Sequence, residues 1–230
     1  MPTAVAENHI LDSIKISELK AFWEEDGDAI LAYGKVRCRI STGVGGNTYR
    51  AYGKFLRKVK PGTKAKQRPS KIFSGWVNGG SFANLMAETL PYADFHQRAL
   101  SSLQVHWLCT ARKKLTVYPY AAKLVDLHVK HVTWHPNVTM TDKRRAALLR
   151  EQYQPLDAYS LAMLRAFGVR SPTGSIIRAN ARMGSIKTEN DYHYFQRAIA
   201  NICRMASVPN FAFDQFAWNL RDIDEDGEVD

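Results

Sequence analysis

The chain has 230 residues, of which 45% are hydrophobic, and a formal net charge of +10. That length suits one large domain or two small lobes. No apolar run approaches the roughly 20 residues that cross a bilayer, and no basic segment followed by an apolar run marks a signal peptide. Three widely spaced cysteines without a CxxC pair predict free thiols. We therefore expect a cytoplasmic protein with no membrane partner.

Charge is distributed unevenly along the first third of the chain. Positions 1–28 hold seven acidic residues, whereas the 59 positions 29–87 hold none and contain twelve Lys or Arg. A solvated surface normally mixes both signs, so this segment predicts a field directed at a polyanion. Nucleic acid is the first candidate, because neutralised phosphates release counterions. A basic loop over 61–70 that serves only solubility is the alternative.

Helical patterns dominate the chain from its beginning to its end. Helices are predicted over 12–33, 49–59, 82–90, 94–108, 120–132, 142–152, 156–167, 189–205 and 214–220. Loops are predicted over 43–47, 61–69, 75–80 and 168–184, and 114–118 is the best strand candidate. The pattern indicates an all-α protein with three regions: a basic helical and loop region (1–80), a helical core (81–221) and a disordered acidic tail (222–230).

The helix predicted over 120–132 separates its apolar and ionisable residues. Its apolar residues recur at helical spacing, while Lys123, Asp126 and Lys130 follow one another at i, i+3 and i+7. A solvated Lys123 paired with Asp126 is the simplest interpretation of this spacing.

Asp157 stands near the start of the helix predicted over 156–167, which is apolar on almost every side. Pro155 suits the first helical position, where no N–H is needed. Asp157 would then fall in the first turn, where the helix dipole and backbone N–H groups keep a carboxylate ionised. An apolar helix of this kind is buried, so the carboxylate would lie at the edge of the core. An ordinary capping aspartate is the alternative interpretation.

Taken together, these two segments resemble the helix-hairpin-helix (HhH-GPD) DNA glycosylase superfamily. Ala122-Lys123-Leu124 is similar to the family's lysine-bearing helix, and Pro155-Leu156-Asp157 is similar to its catalytic aspartate motif. The closing segment 213–218 is similar to an aspartate–tryptophan helix of some bacterial relatives. The resemblance covers roughly residues 81–220.

Two features depart from the family pattern. Val117-Tyr118-Pro119-Tyr120 replaces the glycine pair of the hairpin, and residues 131–154 look inserted between the lysine and the aspartate. The departures suggest a divergent branch. Such branches resemble glycosylase-like proteins and proposed base-modifying enzymes linked to hypermodified phage DNA bases, which suggests a role in anti-phage defence.

The resemblance implies a two-lobed helical bundle with a central cleft for DNA and a flipped base. It implies a monomer that binds double-stranded DNA at the nucleoid and excises a modified or damaged base, without a cofactor. Asp157 would stabilise the oxocarbenium ion that forms at C1′. Lys123 would be a site lysine, able to attack C1′ and form a Schiff base with strand cleavage.

The remaining site residues follow from their chemistry and from proximity in sequence. Aromatic residues that could stack on the flipped base are Trp107, Tyr118, Tyr120 and Tyr159, although such residues often only pack in a core. Residues expected to hold DNA phosphates are Arg50, Lys54, Arg57, Lys58, Lys64, Lys66, Arg68, Lys71, Arg178 and Arg182. His128, His131 and His135 lack an HExxH context, so no metal site is expected.

Two other functions stay open from the sequence. The first is an enzyme of the same fold that alters a modified base or nucleotide without excising it. The second is a non-catalytic DNA-binding module, which needs only the basic region and makes Lys123 and Asp157 dispensable.

Overall fold

The computed structural model describes residues 11–37, 42–57, 68–88, 90–135, 138 and 140–226. Over these residues the protein is all-α, as predicted, and contains no β-sheet beyond one isolated bridge between Arg170 and Ile176. The α-helices are α1 (Ser13–Arg37), α2 (Pro69–Asn78), α3 (Ser81–Ala87), α4 (Tyr92–Ala111), α5 (Tyr118–Trp134), α6 (Asp142–Glu151), α7 (Ala158–Ala166), α8 (Glu189–Ala206) and α9 (Asn210–Asp226). Two 3-10 helices lie at Thr48–Phe55 and Met183–Ser185.

Helix α2 corrects the loop that the sequence predicted over 75–80. Pro69 occupies the first turn, where its missing N–H costs nothing. The helix then buries Ile72, Phe73 and Trp76. Burial of three large side chains stabilises α2 by more than the roughly 1 kcal/mol that Gly75 costs inside a helix.

Two other local predictions also need correction. The strand candidate 114–118 is irregular chain that leads into α5, which begins at Tyr118. Residues 222–226 of the expected disordered tail continue α9, because a helix anchored by a buried first half extends without a new nucleation cost. The last four residues, 227–230, lie outside the described part of the chain.

Helix α5 runs through the middle of the fold, and none of its residues is exposed. It packs against α1, α4, α6 and α8 and against the second 3-10 helix. The sequence predicted an apolar stripe on one face and polar residues on another. The structure instead covers the helix on all sides, so the polar residues of α5 must find partners on neighbouring helices.

The basic N-terminal region packs directly on the rest of the molecule. Helix α1 contacts α5, α8 and α9, while α2 contacts α3 and α4. None of the described helices is long and apolar enough to cross a membrane.

Candidate functional site

The structure brings Lys123 and Asp157 together, although they stand 34 residues apart in sequence. The Nζ atom of Lys123 lies 3.2 Å from Oδ2 of Asp157. Their side chains are 13% and 19% exposed, so solvent reaches both groups at the edge of the core. Helix α5 supplies the lysine, and the start of α7 supplies the carboxylate.

Asp157 is the N-cap of α7, and this refines the position that the sequence predicted. Pro155 precedes the helix, which begins at Ala158 rather than at Pro155. The Oδ1 atom of Asp157 accepts hydrogen bonds from the backbone N–H groups of Tyr159 at 3.0 Å and Ser160 at 3.2 Å. Ser160 Oγ accepts in turn from the Asp157 backbone N–H at 2.7 Å, which completes a capping box.

The two oxygens of Asp157 therefore have different surroundings. Oδ1 is used in capping, whereas Oδ2 faces Lys123. The capping bonds fix the carboxylate in position at the positive end of the α7 dipole. This arrangement leaves one carboxylate oxygen, held on a rigid element, for chemistry or for a stabilising ion pair.

A second lysine–aspartate pair, which the sequence analysis missed, lies beside the first. Lys130, two turns after Lys123 on α5, donates to Oδ2 of Asp214 on α9. Asp214 is 2% exposed, and burial raises the pKa of its carboxyl group, while Lys130 opposes that rise. The charge of Asp157 also raises the pKa of Asp214, so the two carboxylates interact. A lone aspartate within the apolar run Phe211–Phe213 and Phe216 was the available signal.

Asp126 is not the partner of Lys123, contrary to the simplest interpretation of their spacing. Its side chain is completely buried and accepts hydrogen bonds from His96 Nε2 at 2.8 Å and from the Tyr192 hydroxyl at 2.7 Å. Burial raises the pKa of Asp126, and the bonds from His96 and Tyr192 oppose that rise. We call these three residues the Asp126 network. It joins α4, α5 and α8 inside the core.

Two of the four aromatic candidates for a base pocket belong to the core. Trp107 is completely buried, and its indole N–H donates to the Phe55 carbonyl at 3.2 Å. Tyr120 is 8% exposed and packs against Tyr52 and Phe55. Because neighbouring rings cover both side chains, neither presents a free face to a base.

Tyr118 and Tyr159 are partly exposed and have different neighbours. The Tyr118 hydroxyl lies 3.1 Å from His193 Nε2, and burial raises the pKa of Tyr118. Tyr159 follows Asp157 by two residues, and its ring lies 4.9 Å from the ring of Trp218, which is 37% exposed. Of the four candidates, Tyr159 donates a hydrogen bond to Asp157, and it does so through its backbone N–H rather than its side chain.

Trp218 also lines a cavity of about 430 Å³ between α1, α9 and the end of α5. Phe22 and Trp134 supply further aromatic walls, and Asp26, Gln215 and Asn219 supply polar groups. Lys130 Nζ lies 5.7 Å from the Trp134 ring. Tyr159 contacts Trp218, and Lys130 lies near Trp134, but Lys123, Asp157, Lys130 and Tyr159 are not among the residues that line the cavity.

The predicted phosphate-contact residues are exposed wherever the structure describes them. These are Arg50, Lys54, Arg57, Arg68, Lys71, Arg178 and Arg182. Lys58, Lys64 and Lys66 lie outside the described residues. Lys54 Nζ lies 3.9 Å above the Tyr120 ring, and a Cβ atom at Gly184 would lie 3.6 Å from the Tyr120 hydroxyl. The first and second 3-10 helices therefore meet at the start of α5.

His128, His131 and His135 line up along the end of α5 without forming a metal site. Burial lowers the pKa of both His128 and His131 to about 4. His128 Nδ1 lies 3.0 Å from the Thr42 carbonyl, which makes it a neutral donor within the core. Within the described ranges, no three His, Cys, Asp or Glu side chains are placed to hold a metal ion.

Comparisons with protein-family models, curated proteins and solved structures give no match.

Proposed function

We propose that this protein is a DNA glycosylase-like enzyme that releases a modified or damaged base from double-stranded DNA. The observation that carries the proposal is the convergence of Lys123 and Asp157 at the tip of α7. A fixed, partly exposed carboxylate beside a lysine supplies a group that stabilises positive charge at C1′ and a candidate nucleophile for cleavage of the bond between C1′ and a base nitrogen. The proposal includes the two-lobed helix-hairpin-helix arrangement and action as a monomer.

Asp157 would act on the charge that develops at C1′. The C1′–N bond breaks, its electron pair leaves with the base, and the base takes up a proton. The ionised carboxylate stabilises the oxocarbenium ion while a water oxygen bonds to C1′ and loses its proton. Lys123 could replace that water as the nucleophile: its ion pair with Asp157 opens, the ammonium gives one proton to the departing base, and the neutral amine bonds to C1′. A second proton then passes from nitrogen to O4′ as the C1′–O4′ bond breaks, which leaves the Schiff base.

Aromatic side chains would form the base pocket in this proposal. Flipping a base out of duplex DNA costs a few kcal/mol, part of which stacking on aromatic side chains returns. Tyr159, which follows the Asp157 cap by two residues, and Trp218, which contacts the Tyr159 ring, would offer such rings. In this proposal they replace Trp107 and Tyr120, which lie in the core.

Replacement of Asp157 by Asn tests the catalytic role. Asparagine caps helices about as well as aspartate, so Asp157→Asn retains the start of α7 while it removes the charge. We expect base release to fall by more than about 100-fold while affinity for DNA is retained. The assay incubates DNA carrying a panel of modified bases and identifies released bases by mass.

Asp12→Asn is the matched control. Asp12 also caps a helix, accepting from the backbone N–H groups of Ile14 and Lys15, but it directly precedes α1 and has no lysine partner among the described residues. We expect this variant to release bases at the wild-type rate. Normal release by Asp157→Asn would remove the catalytic assignment and leave the pair with a structural role.

Mass analysis of the DNA strand separates the alternatives. Excision leaves an abasic site, whereas base modification without excision leaves an intact strand of altered mass. Borohydride reduction during the reaction traps a Schiff base covalently if Lys123 is the nucleophile, and Lys123→Met should then abolish trapping. A non-catalytic DNA-binding module would bind the same DNA without any product.

A further inference from the structure

A second cavity, of about 530 Å³, lies between α7, α8 and the irregular chain that joins them. Its walls come from Leu161 on α7, from segment 171–187 and from two residues of α8. Segment 171–175 is a tight turn, in which the Ser171 N–H donates to the Ser175 carbonyl at 2.7 Å and Gly174 has φ +81°. The volume falls within the range typical of small-molecule sites.

The floor of this cavity is apolar. It is formed by the buried side chains of Leu161, Ile177, Ala181, Ile186 and Phe195. Ser171, Thr173, Ser175 and Ser185 also line the cavity, and the hydroxyl groups of the first three form a hydrogen-bonded chain. A flat apolar ring would fit the floor, while the hydroxyl groups would pair with polar atoms at its edges.

Two cations at the cavity lack a compensating acid. The Arg178 guanidinium has no hydrogen-bond or ion-pair partner among the described residues, and Lys187 Nζ donates to the Gly184 carbonyl at 2.5 Å. Asp191 is the one acid in the lining, and its Oδ2 accepts from the backbone N–H groups of Lys187 and Thr188 at the start of α8. The cavity therefore presents net positive charge to a ligand.

We propose that this cavity binds a nucleoside monophosphate unit, with the base on the apolar floor and the phosphate between Arg178 and Lys187. Arginine and lysine both form charge-assisted hydrogen bonds to phosphate oxygens. Neither Lys123 nor Asp157 lines the cavity, so this site is separate from the one proposed for base release. The proposed nucleotide site does not depend on base-release activity.

Calorimetric titration of the full chain with dTMP and dGMP at low salt tests the proposal. We expect both to bind, and we expect the nucleosides thymidine and deoxyguanosine to bind at least about tenfold more weakly because they lack the phosphate. Binding should weaken as salt is added, because the cations are at the surface. Absence of nucleotide binding, or binding of inorganic phosphate as tightly as dTMP, would overturn the proposal.

Substitutions of the two cations test whether the nucleotide binds in this cavity. Arg178→Gln and Lys187→Gln each remove one exposed cation and should weaken dTMP binding about tenfold. Arg204→Gln is the control, because Arg204 is exposed on α8 outside the cavity, where it donates to Asn201. Equal affinities for the wild type and both cavity variants would show that the nucleotide binds elsewhere.

Competition identifies the source of the nucleotide unit. If a 5′-phosphorylated single strand displaces dTMP and the same strand without its phosphate does not, the site accepts a DNA end. If neither strand displaces dTMP, the ligand is a free nucleotide. Both results support the site, whereas displacement by both strands alike would contradict a pocket built for a terminal phosphate.

Discussion

Two carboxylates on or next to α5 have opposite surroundings. Asp126 is completely sealed and accepts hydrogen bonds from both His96 and Tyr192. Asp157 keeps one oxygen that faces Lys123 at the edge of the core. The carboxylate that the helix itself carries is thus the inaccessible one, and the reachable one comes from α7.

This difference shows how burial separates structural from chemical roles. A substrate cannot reach a buried carboxylate whose two oxygens already accept hydrogen bonds from the protein. Removal of that carboxylate leaves its buried donors without hydrogen-bond partners. A partly exposed carboxylate held by backbone N–H groups keeps its position even when one partner leaves. We therefore expect substitution of a sealed group such as Asp126 to lower stability, and substitution in the Lys123–Asp157 pair to lower activity.

The largest expected effect on the unfolding free energy comes from Asp126→Ala. This change leaves His96 and Tyr192 buried without their shared acceptor and opens a small cavity. Loss of one partner in a buried charged network costs about 3–5 kcal/mol of unfolding free energy. Urea unfolding followed by circular dichroism measures the change.

Asp94→Ala is the control for that measurement, since Asp94 is exposed in the first turn of α4. Its loss should cost no more than about 1 kcal/mol. Equal losses in the two variants would contradict the structural role of the Asp126 network.

A second buried group of α5, His128, should make the stability depend on pH. Burial lowers its pKa to about 4 from 6.5, so the folded protein holds it neutral while the unfolded chain takes up a proton. Its contribution is therefore complete above pH 6.5 and is lost as the pH falls towards 4. The loss relative to neutral pH is about 2 kcal/mol at pH 5 and about 3 kcal/mol at pH 4.

His128→Asn tests this dependence, because the asparagine amide can donate to the Thr42 carbonyl without titrating. The variant should lose less stability than the wild type between pH 7 and pH 5, as measured by urea unfolding at each pH. Val129→Ala, a neighbouring core change, should lower stability by the same amount at each pH. Parallel pH profiles for His128→Asn and the wild type would exclude His128 as the titrating group.

Lys130→Met should have a smaller effect, which grows with pH. Burial already raises the pKa of Asp214, so this carboxyl group can take up a proton when its lysine is lost. A raised pKa stabilises the folded state below the unfolded pKa of about 4, and that stability is lost as the pH rises through the folded value. The variant should therefore lie close to the wild type at pH 4 and lose about 2 kcal/mol at pH 7.

Lys123→Met provides the comparison for Lys130→Met. Its partner Asp157 is partly exposed and keeps its capping bonds, so the loss should stay below about 1 kcal/mol at pH 7. A larger loss of unfolding free energy from Lys123→Met than from Lys130→Met would contradict the expectation that the more buried pair contributes more to stability.

Sequence periodicity predicted most of the helices because an apolar face repeats every three or four residues. It did not predict α2, where Gly75 outweighed the signal from Pro69 and Trp76. The proximity of Lys123 and Asp157 was expected from the resemblance to the glycosylase superfamily, not from spacing, and is found in the structure. The hydrogen bonds of Asp126 with His96 and Tyr192 could not be predicted from the sequence, because they join three helices whose relative rotation depends on tertiary packing.

The smallest expected effect on stability comes from Asp157→Asn. Asparagine accepts the same hydrogen bonds from Tyr159 and Ser160, so the loss is confined to the ion pair with Lys123. Such partly exposed pairs contribute about 0–1 kcal/mol, and the difference should shrink further when salt screens the charges. Thermal unfolding at low and high salt measures this difference.

A near-normal unfolding free energy together with lost base release would assign Asp157 to chemistry. A loss of several kcal/mol would instead make the pair a structural bond between α5 and α7, and lost activity in that variant would then reflect unfolding.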